Sequence, residues 1–359
     1  MFIARQLAVV PLILAVFPWK RAMPRNDFLD LLKGSLITLV CIGHAIQYVI
    51  HADKGFFPDP FFKAIYMFHM PLFVAVAGYL SHRGITAAQS KFQYVLRRST
   101  ALILPIVSWT VIEHSYRYFF LNQPLSLSVI FGYTGLDRLW FLWILIESIA
   151  VTAVAVMFGR YQLLVLMLFF AAMLLLPDKS HLYLLKYVFP FFVIGFYTAQ
   201  FDLTGMLAGR IRFLLPVLAL ASVLSFLVWN ERTYIYVSMM SLTGGNLATI
   251  CFRWLAGIIV SAFFVLLLWT GRAFIPELIR KNLEHAGRGS IYVYIIQSYV
   301  FIVLLFIVER YFGPVTNRLL SVPVAIGVGY AAMLFSLFAG ELLAGKRVPA
   351  RLLFGRSSV

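Results

Sequence analysis

Apolar stretches of about twenty residues follow one another through almost the whole chain, and that succession constrains the fold more than any motif does. A helix needs about 20 predominantly apolar residues to cross the hydrocarbon core. Ten stretches meet or approach that length, at roughly 27–50, 61–81, 95–118, 138–157, 161–177, 183–200, 211–229, 247–270, 289–308 and 320–343. In lipid every backbone N–H and C=O must be satisfied within the protein, which leaves helices and closed barrels. These segments are too long and too continuously apolar for barrel strands. The expected fold is therefore all-α, a polytopic transmembrane helical bundle of about ten spans, with residues 27–343 as its membrane domain.

Charge gives the expected orientation. The chain is 62% hydrophobic and 12% charged, yet carries a formal charge of +16. With the N-terminus inside, 19 of the 30 Lys and Arg residues fall on the inner side and 8 on the outer. Such an asymmetry is a topology signal and points to two cytoplasmic termini, not to a nucleic-acid surface. Residues 1–26 form a basic N-terminal segment around the apolar run LAVVPLILAVFPW (7–19), which is too short to span comfortably and contains Pro11 and Pro18. The run resembles a signal-peptide core without a small-residue cleavage site; an interfacial anchor or an over-long start is the expected reading, and a spanning helix there would revise the topology. Residues 344–359 form a basic cytoplasmic tail suited to an anionic inner leaflet. The two longest polar stretches, 81–100 and 271–290, are expected at the cytoplasmic face. Cys41 and Cys251 both fall in apolar spans and offer neither a disulfide framework nor a metal site.

Within the first span, LDLLKGSLITLVCIGHAIQY, a lysine and a histidine stand eleven residues apart. At about 100° and 1.5 Å per residue, Lys33 and His44 share one helix face and lie roughly 16 Å apart along the axis. Ionisable groups inside a membrane span are costly unless they face a cavity or a partner. A cation at one depth and a titratable base at another suit a long anionic ligand with a reactive end. Neutral imidazole can take a proton from a hydroxyl, as O-acyl transfer requires. Asp27, Asp30 and Lys33 recur every three residues, so an ion pair that lets Lys33 snorkel is the structural alternative. For His44 the alternative is a satisfied core histidine.

Other constellations follow along the chain. His69 sits beside Pro71 in IYMFHMPLFVAVAGYL, where the proline is expected to kink the span and re-aim the histidine; Tyr79 ends the same run. Arg97 and Arg98 stand at the cytoplasmic edge at the depth of Lys33, where guanidinium groups could clamp phosphate. Their plainer reading is a topology signal with headgroup contacts. Glu113 and His114 lie deep in the third span, although neighbours on a helix point in different directions. Trp140 and Trp143 share a face in RLWFLW, either as an interfacial belt or as a wall of an acceptor site. Glu147, Lys186 and Arg253 are further charges within spans.

The segments RNDFLDLLKGSLITLVCIGH (25–44), IYMFHMPLFVAVAGYL (65–80), YVLRRSTALILP (94–105) and LWFLW (139–143), and more weakly GRGSIYVYIIQ (287–297), occur in an order that resembles bacterial acyltransferase family 3. The resemblance is nearest to its fucose 4-O-acetylase-like branch. It implies a multi-pass protein of the bacterial cytoplasmic (inner) membrane. It also implies an acyl-CoA donor, usually acetyl-CoA, used as co-substrate with no permanently bound cofactor, and an acceptor hydroxyl on a surface glycan or its lipid-linked precursor. Carried across, His44 matches the essential histidine, Lys33 its basic partner, and Arg98 the first arginine of an Arg-x-x-Arg motif. Two positions depart from the pattern. Ala101 stands where the second arginine would be, with Arg97 as a possible substitute, and Gln297 stands where the late segment often has histidine.

The leading expectation is thus an O-acyltransferase with His44 as general base or transient acyl carrier, Lys33, Arg97 and Arg98 on the acyl-CoA, and Asp30, His69, Tyr79, Glu113, Trp140 and Trp143 as candidate pocket residues. A transporter or flippase for an anionic or lipid-linked sugar is the alternative, since charges within spans suit it too. A membrane scaffold or sensor gives those charges no role.

Overall fold

The computed structural model describes residues 26–122, 136–201, 210–240, 242, 245–315 and 317–355. The apolar run at 7–19 lies outside them. No strand occurs among the described residues. Helix α1 (Asp27–His44) begins at Asn26, whose side chain accepts from the Phe28 N–H, and continues as a π-helix over Ala45–Ile50. Helices α2 (Pro60–Tyr66), α3 (His69–Ala87) and α4 (Lys91–Leu121) follow. Next come α5 (Trp140–Val156), α6 (Gln162–Leu175), α7 (Leu182–Thr198) and α8 (Ile211–Val228). The chain ends with α9 (Asn246–Gly271), α10 (Glu277–Arg288), α11 (Ser290–Ile307), α12 (Arg318–Leu343) and α13 (Arg347–Phe354).

Seven of the described helical stretches are long and apolar enough to cross a bilayer, and three shorter apolar ones (Trp140–Val156, Gly159–Leu175 and Leu182–Thr198) lie where spans four to six were expected. Over its most apolar 18 residues, Asp27–Ile50 is 83% buried inside the protein, whereas Ile211–Val228 is only 6% buried. The first helix is therefore the hub, and α8 is a peripheral helix whose apolar surface faces outward.

The second span is broken rather than kinked. Met67 and Phe68 interrupt the helix, and Pro71 falls in the first turn of α3, where a missing N–H costs nothing. The His69 ring donates from Nδ1 to the Ile65 carbonyl at 2.9 Å, across the interruption. The stretch 81–100 is likewise helical almost throughout, since only residues 88–90 separate α3 from α4.

Two helix crossings are so close that only glycine permits them. A Cβ at Gly34 would lie 1.7 Å from the Leu283 carbonyl oxygen, and one at Gly287 would lie 1.8 Å from that of Asp30, so α1 and α10 touch backbone to backbone. Gly78 meets Phe192 and Gly195 meets Ala75 in the same reciprocal way, which joins α3 to α7. Small residues that bring backbones together are the usual device of membrane helix packing. The polar stretch 271–290 is thus no plain loop: α10 docks on the lower half of α1.

Buried charges hold the connections at the opposite end. Lys186 pairs with Asp178 at 2.7 Å, and the other Asp178 oxygen accepts from the Met240 N–H at 2.8 Å. Arg253, fully buried, donates to the carbonyls of Thr233 and Met239, each at 2.7 Å. Nearby, burial pushes the Tyr234 hydroxyl up from its ordinary value, and it donates to the Phe57 carbonyl at 2.9 Å. Lys186 and Arg253 are therefore structural. Helix α13 packs against α4: Trp109 donates to the Leu353 carbonyl at 2.9 Å, and Gly355, at φ +65°, lies over the Ala101 carbonyl.

Candidate active site

A cavity of about 420 Å³ opens between α1, α3, α4, α5 and α11. Its polar lining comes from Lys33, Arg98, Ser290 and Tyr294, set among apolar side chains such as Phe73 and Phe141. A second cavity of about 270 Å³ shares Ala77, Leu80, Arg98, Leu102, Leu145 and Ile291 with it and reaches Phe354 and Gly355. The two are lobes of one groove, with Arg98 at their junction. Helix α4 starts at the Ser90 cap, which accepts from the Gln93 N–H, and this places Arg98 two turns in.

The electrostatics of the two cations differ. Lys33 is held by Asp30 at 2.8 Å, so its charge is shared with a buried carboxylate. Among the described residues no carboxylate pairs with Arg98. Arg98 is exposed and lines an apolar groove, and a guanidinium in that setting can take a phosphate or carboxylate. Arg97 is exposed as well, but it is not among the described residues lining either lobe.

His44 is not among the described residues lining either lobe; it meets α11 about one turn beyond Tyr294, which lines the larger one. Its Nδ1 is 2.7 Å from Oε1 of Gln297 on α11. The ring also meets Tyr48 and Phe301 edge-on, with centroids 5.7 Å away in each case. Ser290, Tyr294, Gln297 and Phe301 recur at spacings of four, three and four, so they run as one stripe along α11. Its lower members line the cavity of Lys33 and its upper members hold His44. The π-helix that starts at Ala45 widens the backbone just beyond the imidazole, a feature frequent at functional sites. Gln297, 1% exposed, is the site residue that sequence reasoning set aside, because nothing in a linear chain signals a contact across 253 positions.

The other expected pocket residues lie elsewhere. Glu113 is engaged by Arg117 at 2.8 Å and Arg138 at 2.9 Å, a cluster that ties α4 to the turn preceding α5. Trp143 stacks on His181 with an interplanar angle of 15°, and His181 bonds Glu147 at 2.8 Å. Trp140, Trp143, Tyr79 and Glu113 are not among the described residues lining the groove; Phe141, between the two tryptophans, is. His69 packs on Tyr66, whose ring lies against Gly43, one residue before His44.

The described residues thus form a helical bundle with a groove lined by two cations and, about one turn further along α11, a hydrogen-bonded imidazole. Residues 26–339 match the family model described as an acyltransferase domain, and the chain belongs to that family, acyltransferase family 3. It is 28% identical over 324 residues to a nodulation protein, NolL, of Mesorhizobium japonicum, covering 87% of this chain and 86% of that one. It is 30% identical over 272 residues to the nodulation protein NolL of Sinorhizobium fredii, covering 74% and 70%. No solved structure matches the chain.

Proposed function

We propose that this protein is an O-acyltransferase of the bacterial cytoplasmic membrane, with both termini inside, that moves an acyl group from an acyl-CoA to a hydroxyl of a surface glycan or its lipid-linked precursor. Acetyl-CoA is the expected donor. Its phosphates would sit at Arg98, where the two lobes join, with Lys33 and Arg97 nearby, and its pantetheine arm would run along α1 through the larger lobe. The thioester would then lie below His44. The acceptor hydroxyl gives its proton to the imidazole as its oxygen forms a bond to the thioester carbonyl carbon. The C–S bond breaks, and the leaving thiolate takes that proton back as free CoA. In the alternative route the imidazole first accepts the acyl group itself.

What supports this reading is the arrangement along α1: Lys33 and Arg98 line one groove, the Nδ1 of His44 is 2.7 Å from Gln297 Oε1, and helix geometry sets His44 about 16 Å along the axis from Lys33 on the same face. Membership of the acyltransferase family supports it independently. The test is transfer from radiolabelled acetyl-CoA by the purified full-length protein in detergent, with glycan extract as acceptor. His44→Ala should lose at least a hundredfold in turnover while remaining monodisperse, since general acid–base catalysis contributes about 10²- to 10⁴-fold. Undiminished transfer by that variant would remove the mechanism.

A further inference from the structure

We propose that Gln297 is the positioning residue of the reaction: its side-chain amide fixes the His44 imidazole with hydrogen on Nδ1 and leaves Nε2 as the reacting nitrogen. This rests on the reading of His44 as the reacting group and adds which of its atoms reacts and why.

The amide can point only one way. Gln297 Nε2 donates to the Tyr294 carbonyl at 3.3 Å, while Oε1 faces His44 Nδ1 at 2.7 Å. Turning the amide over would set Oε1 against the Tyr294 carbonyl, two acceptors face to face. An amide oxygen accepts and never donates, so Nδ1 carries the hydrogen. Phe301 and Tyr48 flank the ring edge-on and oppose its rotation. The partner on one ring nitrogen thus determines what the other can do.

An amide also does this without charge. A carboxylate at the same place would favour the imidazolium form and hold the proton after it is taken. The neutral amide orients the ring and leaves proton release easy.

The same chain of bonds ties the imidazole to the groove. The Tyr294 hydroxyl accepts from the Phe141 backbone N–H at 3.3 Å, at the open start of α5, and both residues line the larger lobe. Phe141 bonds the hydroxyl of Tyr294 and Gln297 bonds its backbone carbonyl, so Tyr294 joins the groove wall to the amide that holds His44.

The experiment compares wild type with Gln297→Leu, Gln297→Glu and His44→Ala as full-length proteins in detergent. Gln297→Leu should lower kcat about 10- to 100-fold, as loss of a residue that orients a ligand or base does elsewhere, with KM for acetyl-CoA changed less than threefold. Gln297→Glu, which keeps an acceptor oxygen, should recover at least a third of the lost rate on a logarithmic scale. Histidine-selective ¹⁵N spectra should show the signal that disappears in His44→Ala as an Nδ1–H tautomer in wild type, and as a mixture in Gln297→Leu. A His44 signal in the Nε2–H form in wild type overturns the proposal even if Gln297→Leu fails to fold. Wild-type kcat in Gln297→Leu overturns it too, and with His44→Ala inactive the catalytic role of His44 would stand. Activity in His44→Ala would overturn both.

Discussion

Arg98 and Lys33 line the same cavity but start from different positions. An anion approaching Lys33 meets a cation already shared with Asp30, whereas Arg98 has no carboxylate partner among the described residues. Arg98 should therefore carry most of the donor's phosphate affinity. Arg98→Met is expected to raise KM for acetyl-CoA about 10- to 100-fold, the worth of about one charge-assisted hydrogen bond, with kcat within a few-fold of wild type. Arg97→Met, at a position off the groove, should change KM less than threefold; equal effects of the two variants in initial-rate kinetics would refute the assignment. The face shared by Lys33 and His44 was legible because helix arithmetic is local. Gln297 was not, because its meeting with His44 is made by the packing of α1 on α11. Glu113 looked reactive for a similar reason. A buried carboxylate reads alike in sequence whether it faces a substrate or, as here, two guanidinium groups.

Among the elements, α10 shows what a polar stretch can conceal. Its outer face is charged, but Leu283, Ala286 and Gly287 recur on the side turned to α1, and a short amphipathic helix between two long apolar ones is easily passed over. The break at Met67–Phe68 shows the opposite. Pro71 announced an irregularity correctly, but its position in the first turn of α3 means that the interruption precedes it. The crossing of α1 and α10 is the most exposed to mutation. Gly34→Leu places a side chain where the Leu283 carbonyl stands, and overpacking in a close-packed interior costs about 1–3 kcal/mol or more. Lower thermal stability in a fluorescence-monitored melt is expected, together with loss of transfer, because Lys33 and Ser290 flank the crossing. Wild-type stability would show that α10 does not dock there.

At the scale of the whole molecule, the long apolar helices Asp27–Ile50, Ser290–Phe312 and Leu319–Leu343 coincide with the first and the last two expected stretches, since hydropathy marks a helix wherever about twenty apolar residues run together. Orientation is a separate matter and has its own test. Cys41 and Cys251 can be replaced by serine and single cysteines introduced at Lys54, Lys179, Gln89 and Lys281. With an impermeant maleimide on intact cells, positions 54 and 179 should label, while 89 and 281 should label only after lysis. Labelling of 281 from outside would invert the topology and put the groove on the wrong side for a cytoplasmic donor.

The glycine crossings bear on how such a protein can diverge. Where main chains touch directly, the spacing of α1 from α10 and of α3 from α7 owes nothing to the shapes of surrounding side groups. Those groups can be exchanged over generations without moving the groove floor. Sequences sharing under a third of their residues can then keep one backbone framework, provided a few positions stay without a side chain.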